Sequence, residues 1–398
     1  MVGCQSGDQA DELNGDSVQS ATDKVPSKLL RPVVVGEEEA AEIRSPAIAK
    51  ALNKSAAPAW QHEIRVADAT YIAPHFSNFS LPDGAHLIVR SGDGQRSRTY
   101  MGQGKLVPGE RGFWAMHMPG EVATIELYSD VAVPAGAIVI DRYARGTAAY
   151  NDFELPEYGD ELGEKAICGA DDSEWAKCYE SSESAAYNKA RAVARLMING
   201  TGACTGWLIG SEGHLMTNEH CIGSASAAAN TDYEFMAEGT CGTNCATWGG
   251  CPGVVEADTA SLIQLDSALD YALVKLPVNL TGTYGYLQLR PGGGSVGEQI
   301  YIPQHPQAWG KRIAMMDGNQ VAHIDTLNAA PCSGGPGDVG YNADTQGGSS
   351  GSPVLGYSDN LVVALHHCAY CPNRGVPVDP IISDLGNNLP ADALGGGG

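Results

Sequence analysis

Gly347-Gly348-Ser349-Ser350-Gly351-Ser352-Pro353-Val354 is a turn in which glycines bracket two serines just before an apolar run. Such a turn lets backbone N–H groups converge on one point, where they can stabilise a developing oxyanion by about 3 kcal/mol. A serine hydroxyl is a poor nucleophile until an imidazole accepts its proton. That imidazole in turn needs a buried carboxylate to hold its tautomer. Leu215-Met216-Thr217-Asn218-Glu219-His220-Cys221 offers the imidazole, and Leu269-Asp270-Tyr271-Ala272-Leu273-Val274-Lys275-Leu276 offers the carboxylate. The order is His, Asp, Ser, with steps of 50 and 80 residues. His305, His323 and Asp266 align with no nucleophile and read as structural.

Short alternating segments surround these motifs. Thr205 to Gly210 and His214 to Thr217 flank a Ser211-Glu212-Gly213 turn and predict a hairpin, and Tyr271 to Leu276 and Leu361 to Leu365 predict further strands. A helix is expected over Ala185 to Leu196. From Trp60 to Tyr143 a second set of short strands, such as Glu63 to Val66, His86 to Arg90 and Ala123 to Leu127, is divided by Leu81-Pro82-Asp83-Gly84 and Ser91-Gly92-Asp93-Gly94 turns. That pattern predicts a small sandwich. Before it, residues 1–57 are polar and Ala-rich, with room for a short helix around Glu37 to Leu52. The fold class is all-β, and no 20-to-50-residue repeat interrupts it.

The three motifs resemble the chymotrypsin-like (trypsin-like) serine endopeptidases, and more closely their bacterial lysyl and glutamyl branches. Thr217 to Cys221 match the family's Thr-x-x-His-Cys, Asp270 heads its Asp-aromatic-Ala-Leu-Val strand, and Gly348 to Pro353 match Gly-x-Ser-Gly-x-Pro. The resemblance implies a double β-barrel and peptide-bond hydrolysis through an acyl-enzyme. It gives His220 as general base, Asp270 as orienting carboxylate, Ser350 as nucleophile in place of Ser349, and the N–H groups of Gly348 and Ser350 as oxyanion donors. It also implies a Cys204–Cys221 bridge, and neither cofactor nor metal. Two departures stand out. Ser349 occupies the place of an aspartate that pairs with a new N-terminus on activation, and Glu219 replaces a small residue beside the histidine, where a facing carboxylate favours the imidazolium. Asp344, Thr345 and His366 match specificity positions. Asp344 suits Lys or Arg before the scissile bond, while Thr345 and His366 suit an acidic residue. The lysyl branch's aspartate is missing at Pro372-Asn373-Arg374, so the reading leans acidic.

The domain reading is a flexible acidic tether (1–57), a β-sandwich-like pro- or accessory domain (58–146), a linker (147–165), a trypsin-like domain (166–390) and a flexible tail (391–398). Lys165 and Arg145 are the candidate cut sites, and processing is expected to fall between Asn151 and Cys168. Of 11 cysteines, ten follow residue 160 and read as disulfides of an oxidising compartment. The spacings Cys241-x3-Cys245 and Cys368-x2-Cys371 keep a zinc alternative open, and spacing cannot settle the pairing. Met1-Val2-Gly3-Cys4 looks like the end of a lipoprotein signal without its apolar stretch, so a lipid on Cys4 could attach a secreted or envelope protein to a membrane. The formal net charge of −23 argues against a nucleic-acid partner. Two other readings are an inactive protease-like binding protein and an envelope lipoprotein acting through its N-terminal β-domain.

Overall fold

The computed structural model describes residues 30–50, 57–147 and 167–396. Cys4, its polar tether, Lys165 and the linker from residue 148 lie outside them. The N-terminal strands are β1 (Val33–Val34), β2 (Glu37–Arg44), β3 (Trp60–Arg65), β4 (Ala69–Phe79), β5 (Ala85–Ser91), β6 (Ser97–Tyr100), β7 (Phe113–Trp114), β8 (Met118–Pro119), β9 (Val122–Ser129) and β10 (Ile138–Thr147). One sheet runs β2-β10-β4-β7 with β8 also on β4, and the other runs β3-β9-β5-β6. Strand β5 turns Ala85, Leu87 and Val89 inward, where Leu87 and Val89 face Leu127 and Ile125 of β9. Each such aliphatic side chain contributes roughly 1.5–3 kcal/mol when buried.

Two expectations change here. The helix expected from Glu37 is strand β2, and the supposed tether therefore enters the sandwich. The sequence Glu37-Glu38-Glu39-Ala40-Ala41-Glu42-Ile43-Arg44 alternates exposure residue by residue, and β10 supplies the counter-charges. Arg145 pairs with Glu37 and Glu39, and Arg142 with Glu38. Arg145 is thus locked inside a paired strand, which is a poor presentation to a processing protease.

The remaining strands are β11 (Glu174–Trp175), β12 (Val193–Ile198), β13 (Gly202–Ile209), β14 (His214–Thr217), β15 (Thr231–Phe235), β16 (Val254–Ala257), β17 (Ser261–Asp266), β18 (Tyr271–Lys275), β19 (Ile300–Gln304), β20 (Arg312–Ala314), β21 (Met316–Asp317), β22 (Gln320–Val321), β23 (Ile324–Ala329), β24 (Asp338–Tyr341), β25 (Pro353–Gly356), β26 (Val362–Cys368) and β27 (Asn373–Pro377). All but β21 and β22, which pair with each other in a two-stranded sheet, build the two sheets of a chymotrypsin-like fold, ordered β16-β15-β12-β13-β14-β18-β17 and β11-β20-β19-β25-β26-β27-β24-β23. The helix expected over Ala185 to Leu196 stops at Ala190, and β12 follows. Every residue of β12 is buried between β13 and β15, so its apolar run lacks the alternation that marks a half-exposed strand. The expected flexible tail is also corrected over its described part. Leu289 donates to Ala393 O (2.8 Å), and Gly395 donates back to Leu289 O (2.9 Å).

Five disulfides join Cys168–Cys371, Cys178–Cys241, Cys204–Cys221, Cys245–Cys251 and Cys332–Cys368. They take up the thiols of both candidate zinc pairs, which removes that alternative. The sandwich is docked against the first of these two sheets. A shared core of Val35, Tyr71, Trp114, Met197, Ala203 and Trp248 joins them. Around it, Arg96 reaches Glu234 (2.8 Å), Arg98 reaches Asp258 (2.7 Å) and His117 reaches Asp232 (2.6 Å). Glu234 is fully buried and also holds the fully buried Arg195 at 2.7 Å, so removing Glu234 would leave an uncompensated interior guanidinium.

Candidate active site

Strand β14 ends at Thr217, whose hydroxyl donates to Thr205 O (2.8 Å) and ties the strand end to β13. Asn218 Nδ2 then donates to Asp270 O (2.8 Å), drawing the turn before β18 toward the His220 loop. Asp270 sits at φ 44°, a left-handed conformation that a short polar side chain tolerates. Its carboxylate is 1 % exposed and accepts three hydrogen bonds. These come from His220 N–H (3.0 Å), His220 Nδ1 (2.8 Å) and His367 Nδ1 (3.1 Å). Burial alone would raise its pKa, but the two imidazoles outweigh that and hold the carboxyl below the usual range. With Nδ1 on Asp270, His220 keeps Nε2 as the acceptor. That atom is buried and has no hydrogen-bond partner among the described residues.

The Ser350 turn lies against the same strand ends. Thr205 N–H donates to Ser350 O (2.8 Å), and that carbonyl is 3.9 Å from the Cys221 sulfur next to His220. The close approach requires glycine at two positions. Gly348 and Gly351 have φ values of 92° and 87°. A Cβ on Gly351 would stand 2.1 Å from Thr205 O, and one on Gly348 would stand 2.9 Å from His305 O. The two serines are distinguished by their partners. Ser349 is fully buried, its N–H donates to Gln346 O (2.9 Å) and its hydroxyl accepts from Gln346 N–H (3.2 Å). Ser350 is half-buried at the surface of the turn. Among the described residues, the N–H groups of Gly348 and Ser350 donate to no backbone carbonyl, so both remain available to an oxyanion. Glu219 turns toward Gly223 and does not bond the His220 ring.

The specificity candidates are buried. Asp344 is buried, which pushes its carboxyl upward, and both oxygens accept backbone N–H groups, from Cys168 (3.1 Å) and Asp172 (2.8 Å). Thr345 donates to Asn373 Oδ1 (3.0 Å), and His366 Nδ1 lies 2.6 Å from the Tyr341 hydroxyl. Burial, followed by the charge on His367, pushes His366 down to about 3, so it is neutral. The motifs did not single out His367 or Asp338. The adjacent pair His366-His367 was the available signal, but only the pleat of β26 shows that the second histidine points at Asp270.

Residues 204–365 match the model for the trypsin-like peptidase domain. Over 334 residues the chain is 43 % identical to "Secreted RxLR effector protein 73" of Plasmopara viticola, covering 82 % of each protein. It is 33 % identical over 184 residues to "Uncharacterized protein y4fB" of Sinorhizobium fredii, which is 43 % of this chain and 26 % of that protein. A Glu endopeptidase structure in complex with MPD overlaps 56 % of this chain and 98 % of its own, at 17 % identity and a TM-score of 0.40. The Rv3671c protease in its inactive form overlaps 53 % of this chain and 95 % of its own, at 15 % identity and a TM-score of 0.38. By its 334-residue match, the chain belongs to the family of the Plasmopara viticola effector, and it carries a trypsin-like peptidase domain.

Proposed function

We propose that this chain is a secreted serine endopeptidase with His220 as general base, Asp270 as orienting carboxylate and Ser350 as nucleophile. The observation that carries this reading is the Asp270–His220 Nδ1 bond, which leaves the buried Nε2 as acceptor beside the Ser350 turn. Ser350 Oγ bonds to the scissile carbonyl carbon as its proton passes to His220 Nε2. The N–H groups of Gly348 and Ser350 hold the oxyanion. The proton then moves to the leaving amine as the C–N bond breaks. Water attacks the acyl-enzyme by the same relay, releases the acid and restores Ser350. For the residue before the cut, an acidic side chain fits better than a basic one, because Asp344 already accepts from two backbone donors. Five disulfides support an extracellular site of action. Intact-mass spectrometry after a fluorophosphonate probe tests the reading: one adduct at Ser350 is expected. Its absence would point to a protease-shaped binding protein. The same spectrum reads a lipid on Cys4.

The folded chain is the latent form in this reading. Strand β1 pairs with β13 at Val33–Ala203 and Val34–Gly202, and Val35 N–H donates to Thr201 O (2.8 Å). Val33 presses on the nucleophile turn, with its methyl carbons 3.1 and 3.2 Å from where a Cβ on Gly347 or Gly348 would stand. An extended substrate pairing with the same edge must displace β1. A cut in the linker alone leaves the sandwich docked through its charged contacts with Glu234, Asp258 and Asp232. Val33→Asp is therefore expected to raise hydrolysis of a long peptide by about tenfold, since a tethered strand competes at roughly millimolar effective concentration. Labelling by the small probe should change little. Equal long-peptide rates for wild type and variant would remove the latency.

A further inference from the structure

His367 lies on β26 beside the Cys332–Cys368 disulfide, and its side chain is fully buried between two carboxylates. Nδ1 is 3.1 Å from Asp270 Oδ2, and Nε2 is 3.0 Å from Asp338 Oδ2. Asp338 is anchored in turn, accepting Cys332 N–H at 3.0 Å. A neutral imidazole has one N–H and one lone pair, so it would turn that lone pair on one of the two carboxylates. The imidazolium alone donates to both.

We infer that His367 is a positioning residue: held in its doubly protonated form by Asp338, it fixes Asp270 through Oδ2, the oxygen that also accepts from His220. This rests on the peptidase reading above. Asp270 Oδ2 is the atom shared by both imidazoles, so the His367 bond sets where the His220 ring points. The effect works against His220 as well as for it, because a second cation on Asp270 competes for the charge that stabilises the His220 imidazolium.

The surrounding charges agree. Asp270 faces His367 from the turn before β18, and Asp338 faces it from β24. His220 lies beyond Asp270, and His366 sits beside it on β26, bonded to Tyr341. Arg374 of β27 stacks on Tyr370 instead. Burial pulls the His367 pKa down, but the bonds to Asp270 and Asp338 and their charges outweigh it and raise it to about 9. Above that value one donor is lost, and the hold on Asp270 loosens.

The test is the pH profile of kcat for full-length wild type, Asp338→Asn and His367→Gln on one peptide. Wild type should show an alkaline limb near pH 9. Asp338→Asn removes the charge that retains the second proton, so the limb should move down by about one unit or more with KM little changed. A role confined to packing would leave the limb in place, and a folded Asp338→Asn enzyme with an unmoved limb overturns the inference. If Asp338→Asn does not fold, His367→Gln decides: loss of the limb with kcat down on the order of tenfold supports it, and a retained limb overturns it. A wild type that takes up no fluorophosphonate at Ser350 overturns the peptidase reading and this inference together.

Discussion

Ser350→Ala is expected to lower kcat for peptide hydrolysis on the order of 10⁵-fold, leaving only what the oxyanion donors and binding supply. Ser349→Ala should retain kcat within a few-fold. The contrast follows from where the two hydroxyls go. Ser349 Oγ is buried and accepts from Gln346 N–H, so its loss touches turn stability by about 1 kcal/mol. Ser350 stands at the turn's surface, next to the strand ends that carry His220. Steady-state kinetics on one peptide, with circular dichroism to confirm folding, separates the cases. Comparable losses in both variants would argue against Ser350 as the nucleophile.

Asp270→Asn should cost about 10⁴ in kcat near neutral pH. Asparagine has one acceptor oxygen, whereas Asp270 uses both of its own. If the amide nitrogen replaces Oδ2, it meets the Nδ1 atoms of His220 and His367. It then drives the His220 proton to Nε2, where it cannot accept from Ser350. If it replaces Oδ1, it meets the His220 N–H, donor against donor. The first outcome spoils the tautomer, and the second keeps it but sets two donors against each other and pushes the carboxamide away from the position that orients the ring. Stability should change with pH as well. Asp270 has a lowered pKa, so its contribution is present above about pH 4 and is lost as acid protonates it. His367 is raised to about 9, so its contribution is full below its unfolded value of 6.5 and is lost as pH climbs through 9. Thermal melts of wild type should therefore weaken at both extremes, and Asp270→Asn should flatten both flanks. A melting temperature for Asp270→Asn that follows the wild-type pH curve would sink this account.

The sequence by itself determined the all-β class, the hairpin around Ser211 to Gly213 and the three motifs, because turn chemistry and short catalytic constellations are local in the chain. Gly351 shows the link to structure: its positive φ is a backbone requirement, and that requirement is written as glycine. Tertiary structure decided the rest. Strand β2 reads as polar and helix-friendly until β10 brings Arg142 and Arg145 opposite its glutamates. Strand β12 is buried on both faces, so no alternation marks it. Apart from Cys204–Cys221, which the family resemblance implies, the disulfide pairings join cysteines as far as 203 residues apart, a distance over which spacing carries no information. The Asp270–His367–Asp338 clamp draws on the turn before β18, on β26 and on β24, three separate segments of the chain. A buried charge network is defined by which side chains lose water together, and only the packed fold brings these three out of water at one place.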